Sequence, residues 1–337
     1  MSKRLALPRA FGRAVLGLAL SLSILPFTIA AVDPAAARLA ARADAILDAS
    51  DGDAARLEEA RALVEQSIAL DPAAPRARAI QARQVLLAGT TEEGVRPSAI
   101  GKARVILEQA TELQPRDGRV FALLAHVNLQ AKGDDIAQMH VWRELKNAES
   151  LDPDDPWYLY ALAEFHASGR GDQALQPELL EKAIAAGLSS RAELRAAYDI
   201  LLPQYVAAGD RAKTSAAFAA RAALDPKDAV LRDGHARNLV AYGGDYEDAE
   251  RIAREAIAIS DSAHARGTLS LALYAQWAAA ARDGKGPEAV AALYRKAQAN
   301  DPGGRLIPAC LAEWEPLDFL FARLAQKNIT PPEMHRC

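Results

Sequence analysis

The feature that most constrains this chain is a helix stop that returns along it. Ala69-Leu70-Asp71-Pro72 recurs as Leu113-Gln114-Pro115, Leu151-Asp152-Pro153, Leu224-Asp225-Pro226 and Asn300-Asp301-Pro302. Proline lacks an amide proton and keeps the residue before it out of the helical region, so each Pro ends a helix. The Asp before it is expected to start a turn or to cap the next helix. The prolines at 72, 115, 153, 226 and 302 are 43, 38, 73 and 76 residues apart, and the last two gaps are near twice 37. Each long gap is therefore expected to hold one stop without proline. Gly187-Leu188-Ser189-Ser190 and Ser260-Asp261-Ser262, both rich in capping residues, stand at those places.

This spacing gives about seven units of about 35 to 43 residues, the period of a solenoid of helix pairs. One pair cannot bury its apolar stripe alone, but stacked neighbours can. Each unit divides again at a turn: Gly89, Gly133-Asp134-Asp135, Gly169-Arg170-Gly171-Asp172, Gly209-Asp210, Gly243-Gly244-Asp245 and Gly284-Lys285-Gly286. Composition agrees with an all-α chain. Half of the residues are hydrophobic but only 6% are aromatic, and Ala dominates. Ala is the best helix former, and a core of small groups requires helices that cross closely. Val and Ile are scattered, so little reads as strand.

Within the units a finer pattern repeats. Ala103, Leu107, Ala110 and Pro115 are spaced four, three and five apart. Ala60, Val64 and Pro72 keep that frame with Ser67 in the third place; Leu145, Ala148 and Pro153 keep it with Val141 in the first; Tyr294, Ala297 and Pro302 keep it with Val290 in the first. Ala249, Ala253 and Ala256 follow it without proline, whereas Gln176, Thr214 and Arg221 depart from it. Phe121, Leu124 and Ala125, and then Leu159, Leu162 and Ala163, form a second pattern on the preceding helices. Over about residues 50 to 302 the chain resembles the tetratricopeptide (TPR) family. The first pattern matches that family's helix B and the second its helix A. The resemblance implies a right-handed superhelical solenoid of antiparallel helix pairs with capping helices at its ends, and a binding rather than a catalytic role. Residues 32–49 are expected to be the N-terminal capping helix, 50–302 the array of about seven pairs, and 303–337 the C-terminal cap. In the last segment Leu317, Leu320, Phe321 and Leu324 share one helical stripe.

Residues 1–30 read as a secretory signal peptide. Lys3, Arg4, Arg9 and Arg13 precede an apolar run from Ala14 to Phe27, and Thr28-Ile29-Ala30 offers small residues for cleavage after Ala30 or Ala31. Pro26 interrupts the run, which is marginal for a membrane span, so a membrane-tethered structural protein of the envelope is the alternative. The expected location is periplasmic or secreted. The full chain carries a net charge of −4, and loss of the four basic residues in the leader takes it to −8. A mildly acidic body argues against nucleic acid as a partner. Both cysteines, Cys310 and Cys337, lie near the C-terminus. In an oxidising compartment a disulfide between them would add roughly 3 kcal/mol by loop closure; the other reading is two thiols.

Signals for chemistry are sparse. The six histidines, among them His126, His140, His166 and His235, have no metal-ligand spacing, so no metal is expected. There is no nucleophile elbow and no phosphate-binding glycine loop, so neither catalytic residues nor a cofactor are assigned. Arg170-Gly171-Asp172 at a turn and the sequon Asn328-Ile329-Thr330 are read as incidental. The family resemblance instead directs attention to the concave face lined by A helices. Places seven apart on successive A helices hold Arg76 and Arg83, Arg119 and His126, and Trp157 and Glu164, with Tyr160 between. These seven are expected to line a groove for a peptide or helix of another protein, with Arg answering carboxylates and an exposed Trp157–Tyr160 wall holding an apolar side chain. The Lys, Arg and Asn clamp by which some family members hold a C-terminal carboxylate is not reproduced, since Ala79 and Leu123 stand there. A hydrolase using His126 and Glu164 as general acid and base is the enzymatic alternative.

Overall fold

The computed structural model describes residues 33–50, 52–91, 93–113, 116–243 and 245–301. The expected leader, C-terminal cap, Cys310, Cys337 and the sequon lie outside the described residues.

Among the described residues fourteen α-helices follow one another. They are α1 (Pro34–Asp48), α2 (Ala54–Leu70), α3 (Pro75–Ala88), α4 (Pro97–Leu113), α5 (Gly118–Gln130), α6 (Asp135–Leu151) and α7 (Pro156–Phe165). Then come α8 (Gln176–Ala185), α9 (Arg191–Ala208), α10 (Arg211–Leu224), α11 (Ala229–Asn238), α12 (Tyr246–Ile259), α13 (Ala263–Arg282) and α14 (Pro287–Asn300). Each odd-numbered helix from α1 to α11 packs most closely on the even-numbered helix after it, α13 packs equally on α12 and α14, and odd helices pack on the next odd helix from α1 through α7. The fold is therefore an all-α solenoid of helix pairs. α1, expected as a cap, packs on α2 as the first half of a pair. A two-residue hairpin, β1 (Thr90–Thr91) against β2 (Gly94–Val95), joins α3 to α4 where only a turn was expected. None of the described helices is long and apolar enough to cross a membrane.

The stops work as their chemistry requires, with one difference. Asp71, Asp152 and Asp225 sit at helix C-caps in extended geometry (φ −139°, −155° and −126°), as the following proline demands. Each starts a turn, but none of them caps the next helix. After Asp152 and Asp225 that cap comes three residues on, where Asp155 accepts from the amides of Trp157 and Tyr158, and Asp228 from that of Leu231; α3, after Asp71, starts beyond Ala74 with no side-chain cap. Of the two stops without proline, Ser262 caps α13 through its hydroxyl, and residues 186–190 separate α8 from α9.

The helix-crossing positions are the buried ones. Ala60, Ala103, Ala110, Ala148, Ala249, Ala253, Ala256 and Ala297 are all inaccessible, as are Leu107 and Val141. Polar residues in this frame are answered locally. Ser67 Oγ donates to the Ala36 carbonyl at 2.8 Å, and Thr214 Oγ1 donates to the Asp210 carbonyl at 2.7 Å. Arg221 stretches its guanidinium to Asp199 (2.8 Å) and Asp225. The apolar core forms three clusters, within α1–α3, from α3 to α9 and from α11 to α14. α10 contributes only Thr214 and Ala217 to the buried set.

Gly89, at the C-cap of α3, shows how little room the close crossings leave, because a Cβ there would collide with Ala99 Cβ on α4. Gly89→Ala should cost about 1–3 kcal/mol through overpacking. A lower urea midpoint at unchanged slope is the expected result; an unshifted midpoint would show that the α3–α4 crossing is looser than described.

Candidate functional site

The seven residues singled out on A helices come from α3, α5 and α7, three helices that pack side by side. Six of them meet in one network. The structure departs from the open groove that the sequence suggested. Arg83 is 5% exposed, Trp157 and His126 4%, and Tyr160 6%. The Trp157–Tyr160 wall is thus interior. Arg76 stands apart, exposed, with its Nε 4.0 Å from Asp117.

Arg83 is the centre of this face. Its guanidinium reaches Asp44 and Asp48, the latter at 2.6 Å, and lies 4.8 Å from the centre of the Trp157 ring. Asp44 and Asp48 are four residues apart and share one face of α1, so a single guanidinium bridges both. Burial works to lower the Arg83 pKa, but Asp44, Asp48 and Glu193 outweigh it, and the charged form is favoured. Arg119 donates to Asp155 Oδ2 at 3.0 Å and lies 3.9 Å from Asp44. Asp155 thus caps α7 with one oxygen and holds α5 with the other.

His126 stands edge-on to Trp157 and tilted against Tyr160, with ring centres 5.7 and 5.8 Å apart. Its Nδ1 is 2.6 Å from Glu164 and its Nε2 is 2.7 Å from the Gln130 amide. Burial pushes the imidazole pKa down and Arg83 adds to that, but the Glu164 and Glu193 carboxylates prevail and the net shift is upward. Burial, with Glu164 and Glu193, also lifts the Tyr160 hydroxyl well above its ordinary range.

Glu193 belongs to α9, two units further on. It influences Arg83, His126 and Tyr160 because the chain returns to its beginning: Ser189 Oγ donates to Asp48 Oδ2 at 2.6 Å across 141 residues. Ala192 and Arg195 face Ser50, Leu57 and Gln84 across a cavity of about 450 Å³ at this junction. The A-helix face of the first units is therefore closed by the 188–193 segment. Asp44, Asp48, Gln130, Asp155, Ser189 and Glu193 were not among the expected site residues. The first two had a legible signal, since acids four apart on an A helix beside Arg83 are a ready ion-pair partner. No local signal pointed to Ser189 or Glu193. Among the described residues no three His, Cys, Asp or Glu side chains are arranged to hold a metal ion.

No family model matches the sequence, and no curated protein matches it either. Solved structures do. A thermophilic TPR protein of Thermus thermophilus, TTC0263, is similar over 61% of this chain and 97% of its own, at 20% identity and a TM-score of 0.41. PilW, a widely conserved type IV pilus biogenesis factor, is similar over 70% of this chain and 98% of its own, at 16% identity and 0.37. A monomeric mutant of IFIT1 with Gppp-AAAA is similar over 87% of this chain and 64% of its own, at 17% identity and 0.43. The solenoid assignment rests on the helix pairing described above.

Two histidines give stability opposite dependences on pH. The folded pKa of His126 is raised, so its contribution is complete below about 6.5 and is lost as pH rises through the folded value. His235, stacked on Phe218 with ring centres 5.0 Å apart, is pushed by burial down to about 4. Its contribution is complete above about 6.5 and is lost as pH falls towards 4. His126→Gln should therefore lower Tm more at pH 6 than at pH 9, and His235→Phe should retain more of its Tm between pH 6.5 and 4 than the parent. Parallel Tm–pH curves for parent and variants would contradict both assignments.

Proposed function

We propose that the chain is a non-enzymatic protein–protein interaction scaffold of the cell envelope, and that it holds a peptide or helix on its A-helix face. The observation that carries this reading is the concentration of charge and aromatic surface there, with Arg83, His126, Trp157 and Tyr160 buried in one face and Arg119 and Glu164 half-buried beside them. Taking ions out of water costs several kcal/mol each, and apolar residues of similar size often serve a core as well or better. A face that served packing alone would have no use for so many charges. Opening the Ser189–Asp48 contact would free Asp48 and withdraw Glu193. A basic group of a partner would then meet Asp48 and Glu164, since Arg83 and Arg119 are already paired with Asp44 and Asp155. The basic leader, the apolar run and the small residues at Thr28-Ile29-Ala30 support export to the envelope.

The His126–Glu164 contact is the feature that favours the hydrolase alternative. It serves better as a tie between α5 and α7, because the second ring nitrogen is held by Gln130 and the ring is buried.

Photo-crosslinking in the native host distinguishes the surfaces. A photoreactive residue in place of Glu193, which borders the closed face, should give a discrete protein adduct, and Ser189→Ala should increase it several-fold. A residue in place of Met139, 71% exposed on α6, should give none. Adducts from position 139 and not from 193 would move binding away from the A-helix face.

A further inference from the structure

The apolar core is interrupted at α10. Ala197 and Leu201 of α9 end the cluster that starts at α3, and Ala236 of α11 begins the next one. A helices pack directly on one another from α1 through α7 and again from α11 to α13, but α9 and α11 do not pack in this way. α10 stands between them with only Thr214 and Ala217 buried, and the threonine hydroxyl is bonded to the Asp210 carbonyl at the start of its own helix. Within α9, Pro203 removes one rung of the backbone ladder, at the carbonyl of Asp199.

What holds this joint is mostly charge. The Asp225 carboxylate, at the stop between α10 and α11, is met by Arg195 of α9 at 2.7 Å and by Arg221 of α10, with Arg191 4.0 Å away. From the other side Arg232 of α11 donates to the Asp225 carbonyl at 3.3 Å and lies 3.6 Å from Glu255 of α12. The Arg195 and Asp225 side chains are 25% and 27% exposed, so water and salt screen the pair. Among the described residues one ring contact crosses the joint, Phe218 of α10 on His235 of α11, with ring centres 5.0 Å apart and planes within 7°.

A continuous apolar core resists bending, because rotation within it opens voids. A small polar junction between two separate cores offers no such resistance, and motion between the two bodies follows. We propose that the joint around Asp225 is a hinge. One body is α1–α9, tied to itself through Arg83 and the Ser189–Asp48 contact; the other is α11–α14. α10 is the link, and the arginines on Asp225 are the clasp that limits the swing. The A helices α11 and α13 then turn as one unit against the face built from α3, α5 and α7. The hinge does not depend on what that face binds.

Double electron–electron resonance on the full chain, with Cys310 and Cys337 replaced by Ser, tests this. Spin labels at Met139 of α6 and Glu288 of α14 span the joint. Labels at Arg38 and Met139 stay within the first body, and labels at Val230 and Glu288 within the second; each of these sites is exposed. The within-body distance distributions should be narrow and should not change between about 0.1 M and about 1 M NaCl, over which the screening length falls from roughly 10 Å to roughly 3 Å. The cross-joint distribution should be clearly broader than either at low salt and should widen further at high salt. Asp225→Asn should give the high-salt width already at low salt, with the within-body pairs showing that both bodies remain folded. The salt series needs no substitution in the joint, so it decides the matter even if Asp225→Asn fails to fold. A cross-joint distribution as narrow as the within-body ones at both salt concentrations would overturn the hinge, and so would within-body distributions equally broad. A broad distribution that ignores both salt and Asp225→Asn would overturn the clasp.

Discussion

A guanidinium removed from water must be answered on every side, and the arrangement around Arg83 does this with groups from three helices. Asp44 and Asp48 come from α1, the Trp157 ring from α7, and Glu193 from α9 adds its charge. Breaking a buried ion pair on one side costs about 3–5 kcal/mol, so these helices are not independent in position. A helix solenoid usually joins each pair only to its neighbours. Here one contact spans 141 residues, and the face between its ends becomes interior.

This arrangement has a consequence for the electrostatics of the face. Arg83, Arg119 and His126 meet Asp44, Asp48, Asp155, Glu164 and Glu193. The acids are in excess, and two of them, Glu164 and Glu193, raise the imidazole pKa despite its burial and the nearby Arg83. Trp157 lies at the meeting point, with the Arg83 charge near its ring centre and the His126 ring edge-on to it. The aromatic surface that would hold a partner's side chain is used internally. A partner on this face must therefore compete with the 188–193 segment.

Much of the fold was legible because its signals are local. Proline placement depends on one residue's missing proton, and the crossings depend on Ala at fixed intervals. Hence Ala103, Leu107 and Ala110 lie where the pattern put them, and the two stops without proline occur at 186–190 and 260–262. The Asp of each Leu-Asp-Pro was harder to read, because Asp both terminates and begins helices. The backbone constraint imposed by the following proline fixed it as a terminator. The candidate site was legible in part. Spacing of seven on A helices put Arg83, Arg119, His126, Trp157 and Glu164 on one face, with Tyr160 between the last two, but spacing cannot say whether a face is open. That is decided by how the later units meet the first, through Ser189 and Glu193, which carry no local mark of that role.

The chain closes upon itself between the end of α1 and the start of α9, and disulfide trapping measures that closure directly. With Cys310 and Cys337 replaced by Ser, the pair Asp48→Cys and Ser189→Cys should form an intramolecular bond in nearly all molecules under mild oxidation. Helicity should be unchanged, and the bonded protein should migrate as a compact monomer. Reduced monomer, or bonds formed only between molecules, would show that residues 48 and 189 do not meet and that the A-helix face is open.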